Sequence, residues 1–109
     1  MGEVDQTKPL LLGYVRKHFL MTPTALGQVK AELVAFAHRE GFTLHAIFVD
    51  QIETAPAAFQ ALMDTAVRLE AAAVVVPSLT HLSEAAATTG MKEHVEHYTN
   101  ARVLVAGGP

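Results

Sequence analysis

The residues able to do chemistry in this 109-residue chain are few and scattered, and none is a cysteine. That absence removes disulfides, zinc ribbons, cysteine nucleophiles and iron–sulfur clusters. Arg16 beside Lys17 is the best anion-binding candidate. A surface ion pair with Asp50 or Glu53 is the plainer alternative for it. His18 and His81 would suit metal binding or acid–base work if they faced each other. The sequence spells out no third ligand for them, so polar loop residues are the expected reading. Glu93-His94-Val95-Glu96-His97 places two histidines three apart on one helix face. That is half of a metal site at most, without the His-Glu-x-x-His spacing of metalloproteases. A solvated helix face is expected there. Asp50 closes an apolar run, where an acidic ligand to ribose or metal can sit. With no glycine-rich phosphate loop beside it, capping of the next turn is its expected role. His45 reads as an ordinary strand residue. Ser78 and Ser83 lack an evident base, and no Gly-x-Ser-x-Gly elbow is present. No cofactor or metal site is expected.

These residues must be positioned by elements that the apolar pattern marks out. Residues 1–9 read as a flexible tail ending at Pro9, and residues 10–109 as a single domain. Leu10 to Val15 is a short apolar run, too short for a helix, and reads as a buried strand. Thr22-Pro23 supplies an N-cap and a first-turn proline. Leu26, Val29, Leu33, Phe36 and Ala37 then recur at helical spacing until Gly41 stops the helix. Phe42 to Asp50 is rich in aromatic and β-branched residues and predicts a second strand. Pro56 opens a second helix, with Phe59, Leu62, Met63, Ala66 and Leu69 on one stripe. Ala72 to Val76 predicts a third strand, apolar throughout and therefore covered on both faces. Ser83 to Tyr98 predicts a helix broken at Thr88-Thr89-Gly90, where residues are weak helix formers. Arg102 to Ala106 predicts a fourth strand.

Strict alternation of strand and helix at these lengths means parallel strands joined by right-handed crossovers. The expected fold is α/β, three-layered, with a four-stranded parallel sheet and helices on both faces. In such sheets ligands collect beyond the carboxyl ends of the strands. That rule selects Arg16-Lys17-His18, Asp50 to Glu53, Ser78 to His81, and Gly107-Gly108. The binding candidates are therefore Arg16, His18, Asp50, Thr80 and His81.

The first strand and its exit, Gly13-Tyr14-Val15-Arg16, resemble the opening of the catalytic domain of the serine recombinases, the resolvase–invertase family. The resemblance continues in phase through the helix from Gln28 to His38-Arg39-Glu40-Gly41. It extends to the strand ending Phe48-Val49-Asp50 and to the helix Phe59-Gln60-Ala61-Leu62-Met63-Asp64. Val74-Val75-Val76, Leu79 and Leu82-Ser83 then occupy the place of the family's strand and its Asp-Arg-Leu-Ser-Arg motif. It spans about residues 10–106.

The resemblance implies a resolvase-like fold, with the four parallel strands in order 2-1-3-4, and, in active members, a serine that attacks a DNA phosphodiester while arginines hold the phosphate. In this chain the nucleophile's position is His18. The Asp-Arg-Leu-Ser-Arg stretch reads Thr80-His81-Leu82-Ser83-Glu84, and an expected arginine falls at Pro56. Of the phosphate-handling groups only Arg16 is present. Losing one transition-state donor costs about a hundredfold or more. Glu84 adds a like charge where a phosphate would sit. Catalysis is therefore expected to be absent. The family's long dimerising helix and DNA-binding domain, which follow the last strand, have no counterpart within these residues, so the bare core is expected.

Charge and composition set the remaining bounds. The formal charge is −3, with half the residues apolar. Only eight lysines and arginines are present, with no clustered basic patch of the kind autonomous nucleic-acid binding needs. No stretch approaches the roughly 18–20 apolar residues of a membrane span. The start, MGEVDQTKP, is polar and acidic rather than a signal peptide. A cytoplasmic protein is expected. Its expected role is a non-enzymatic protein-interaction or regulatory module, self-associating or binding a protein partner, with DNA binding weak or absent. Two other functions stay open: a small-molecule or anion binder at the strand ends, and a DNA-associated accessory protein of a recombinase.

Overall fold

The computed structural model describes residues 8–17, 20–51, 57–77 and 91–106. Their order is β1 (Leu10–Lys17), α1 (Pro23–Glu40), β2 (Thr43–Gln51), α2 (Ala57–Leu69), β3 (Ala73–Val76), α3 (Met91–Thr99) and β4 (Arg102–Val105). The four strands form one sheet in order β2-β1-β3-β4, and every neighbouring pair is parallel. This is the expected α/β architecture and strand order. Of the predicted helix over Ser83 to Tyr98, α3 is the part from Met91 on, while the part before it, with its break, lies outside the described residues, as does the tail through residue 7.

Two apolar layers sandwich the sheet, so helices cover both faces. Leu12, Tyr14, Val74, Val76 and Val103 pack with Phe59, Leu62, Met63 and Ala66 of α2 and Val95 of α3. On the other face Leu11, Val15, Ala73 and Val75 meet Leu33, Phe36 and Ala37 of α1. Successive residues of β1 and β3 therefore enter opposite cores, which is why these central strands carry no polar alternation.

Local signals fix the element ends. Thr22 caps α1 by accepting from the Ala25 N–H at 3.0 Å, and Pro23 follows it inside the first turn. Gly41 ends that helix in the left-handed region, with φ 79°. β1 runs two residues beyond the predicted strand, so Arg16 and Lys17 belong to the sheet rather than to a loop. Pro9, placed in the predicted tail, accepts from the Thr43 N–H at 2.9 Å.

Candidate functional site

Arg16 and Asp50 stand opposite each other at the carboxyl ends of β1 and β2, in register across the strand pair. Both are about 5% exposed, so neither is a surface charge. The alternative of a surface ion pair for Arg16 is therefore corrected: extension of β1 to Lys17 carries its side chain into the layer beneath α2. Tyr14, two residues earlier on β1, shares the face of Arg16. It is fully buried and packs edge-on against Phe59, with ring centroids 5.4 Å apart.

Asp50 joins these residues to the next helix. Its Oδ1 accepts from the Ala58 N–H at 2.8 Å, and its Oδ2 from the Phe59 N–H at 2.9 Å. The same Oδ2 accepts from the Tyr14 hydroxyl at 2.7 Å. The carboxylate thus satisfies two N–H groups that α2 cannot bond internally, and it meets the positive end of the helix. The sequence predicts Asp50 as a cap of the turn that follows it; the hydrogen bonds place it instead at the start of α2, eight positions ahead of the first N–H it binds.

Burial pushes the Tyr14 hydroxyl well above the ordinary tyrosine pKa of 10.0. The Arg16 guanidinium, bonding to the same hydroxyl, pulls the other way, and the Asp50 carboxylate adds to the rise. Tyr14 is therefore a fixed proton donor at neutral pH and not a base. Chemically the cluster is a balanced one: one cation, one anion and a phenol, closed over by an aromatic ring.

Of the five binding candidates, the structure brings Arg16 and Asp50 together. His18, Thr80 and His81 lie outside the described residues, as do Pro56, Ser83 and Glu84. Tyr14 was not among the candidates. Its signal was an aromatic with a polar tip in a run buried on both faces, because such a hydroxyl must find a partner.

The histidine-rich helix behaves as a solvated face. His94 and His97 are exposed on α3, and His94 stacks on Tyr98 with centroids 6.2 Å apart. Glu96 turns away from them. It accepts from the Val103 N–H at 2.9 Å and pairs with Lys92 at 3.4 Å. Among the described residues no group of three or more histidines and carboxylates could hold a metal ion. His45 is an exposed strand residue.

A groove of about 440 Å³ lies at the opposite end of the sheet, lined by Val67, Glu70, Ala71, Ala72, Tyr98, Thr99 and Asn100. It sits before β3 and β4, at the amino ends of the strands, away from Arg16 and Asp50. Among the described residues no helix is long and apolar enough to cross a membrane. No protein-family model matches the chain, and no curated protein matches it.

Proposed function

We propose that this domain is a resolvase-like α/β core that has lost recombinase catalysis and serves as a protein-interaction or regulatory module. The observation that carries this reading is the use made of Asp50 and Tyr14. Both are committed to the fold: the carboxylate caps α2, and the phenol is spent on the carboxylate. Arg16 lies buried beside them, where it balances a charge already present. The sequence adds the rest of the support, with histidine at the nucleophile's position and Pro56, His81 and Glu84 where arginines are expected.

The reading of an anion binder at the strand ends draws less support. An anion there would be attracted by the free N–H groups at the start of α2. Asp50 already holds two of them and places a negative charge at that point.

The test is direct. Purified protein is incubated with supercoiled DNA, quenched in denaturant, and assayed for strand breaks and for a covalent protein–DNA adduct. Neither is expected. A covalent adduct, or cleavage that tracks the protein through purification, overturns the reading.

A further inference from the structure

The two edges of the sheet are built differently. β4 is four residues long, and its alternate N–H groups go inward to the β3 side: Arg102 to the Ala72 carbonyl and Ala106 to that of Val76. The Val103 N–H therefore faces outward, and the Glu96 carboxylate closes it at 2.9 Å. A side chain that occupies an outward donor is one way natural sheets blunt an edge.

β2, at the other edge, is nine residues long. Among the described residues no strand lies on its outer side. It carries no lysine, arginine or proline, and its single carboxylate, Asp50, is turned inward to Tyr14 and α2. Leu44, Ala46, Ile47, Phe48 and Val49 are all apolar, yet each stays only partly buried. Their counterparts on β1 are fully covered. The pairing of Leu11 with Leu44 and of Leu12 with Ala46 leaves His45 as a bulge residue. From Ala46 onward the strand is regular.

We propose, resting on the interaction-module reading, that the partner at this edge is a second copy of the chain. The regular segment of residues 46–50 would pair antiparallel with itself about a two-fold axis at Phe48. Residues directly opposite in such a pair share a face. This register sets Ile47 against Val49 and Ala46 against Asp50, and it brings the two Phe48 side chains together. The one charged residue of the segment, Asp50, falls opposite Ala46, so this register meets no like-charge clash and sets apolar residues against apolar ones at its centre. Two four-stranded sheets become one continuous sheet, and the half-exposed apolar rows of β2 are covered.

The absence of cysteine makes the test clean. Wild-type protein is examined by light scattering, and a mass of twice 11.7 kDa is expected. F48C places a single thiol on the axis, so oxidation with copper–phenanthroline is expected to convert it to a covalent dimer. V49K places a charge at the contact and is expected to run as a monomer with unchanged circular dichroism. Phe48 and Val49 both pack against the buried clusters; should F48C or V49K not fold, hydrogen exchange on the wild type replaces it, with amides of residues 46–50 slowing as concentration rises. A wild-type monomer at several hundred micromolar overturns the proposal. A dimer that survives V49K, or that leaves residues 46–50 exchanging freely, also overturns it. Either result leaves the non-catalytic reading standing, since that reading falls only to DNA cleavage.

Discussion

The Tyr14 hydroxyl donates to Asp50 Oδ2 at 2.7 Å across 36 residues of sequence. The same oxygen holds the Phe59 N–H, so one carboxylate ties β1, β2 and the start of α2 together. Leaving a buried donor unsatisfied costs about 1–3 kcal/mol. Asp50→Ala strands a phenol and two helix N–H groups, and a loss of about 3–5 kcal/mol is expected in urea unfolding. Asp50→Asn keeps one acceptor oxygen and is expected to lose roughly half as much. Tyr14→Phe removes one donor, at about 1–2 kcal/mol, and its effect is expected to shrink sharply in the Asp50→Ala background. Equal effects of Tyr14→Phe in both backgrounds would show that the two residues are not coupled.

Much of this architecture is legible in the sequence because it is local. Thr22-Pro23 and Gly41 bracket α1 through contacts within a few residues, and apolar runs without polar alternation mark β1 and β3 as doubly covered. The parallel pairing follows from the alternation of elements and the handedness of crossovers, whereas several strand orders satisfy both and the order 2-1-3-4 is the one the resemblance implies. The place of Asp50 at a strand end points to a cap, but of the next turn and not of a helix that begins beyond it. The partnership of Tyr14 with Asp50 is not legible, since no spacing rule links residues on two strands before the register is known. The surface ion pair, the alternative for Arg16, fails for a related reason: two residues of additional strand carry it from loop to core. Glu96 gave no signal at all, because its partner is a backbone N–H and every residue except proline carries one.

Alkaline titration offers a second check on the buried phenol. The Tyr14 pKa in the folded protein lies above its ordinary value of 10.0, chiefly through burial. Below that ordinary value both states are protonated, and the stabilisation is fully present. Above it the unfolded chain releases its proton first, so stability falls as pH rises toward the folded value. Urea midpoints measured between pH 9 and pH 11 are expected to decline in the wild type, and less steeply in Tyr14→Phe. Equal slopes in the two proteins would remove Tyr14 as the cause.

Gly13 sits where β1 passes beneath α1. A Cβ there would meet Leu33 Cδ1 at 3.0 Å and Ile47 Cγ1 at 3.1 Å. Glycine within a strand usually marks such a close approach. Gly13→Ala requires both side chains to give by a few tenths of an ångström, and the overpacking is expected to cost about 1 kcal/mol, the low end for such changes. Leu33→Ala would open the space but leave a cavity of its own, at about 2–5 kcal/mol. The double variant is expected to be more stable than the sum of the two losses implies, because each change relieves the other. Strict additivity in thermal melts would contradict the contact.

Glu96 joins α3 to the outer edge of β4, and its charge state decides how firmly. The Val103 N–H holds its carboxyl below the ordinary glutamate value of 4.5, with Lys92 and Arg102 assisting and desolvation opposing. A group whose pKa is lower in the folded state stabilises fully above the unfolded value. Its contribution is lost as pH falls below about 4.5 and through the lowered folded value. The carboxylate is partly exposed and its bridge to Lys92 is a surface one, so the energy is modest, within about 1 kcal/mol. The local effect is sharper. Hydrogen exchange at Val103 is expected to quicken on acidification beyond the intrinsic trend, and Glu96→Gln is expected to show the faster exchange already at neutral pH. Glu96→Ala also uncovers the outward N–H of β4, so a new, weak self-association through that edge is expected at high concentration. Unchanged protection of the Val103 amide in Glu96→Ala would show that the carboxylate does not guard this strand.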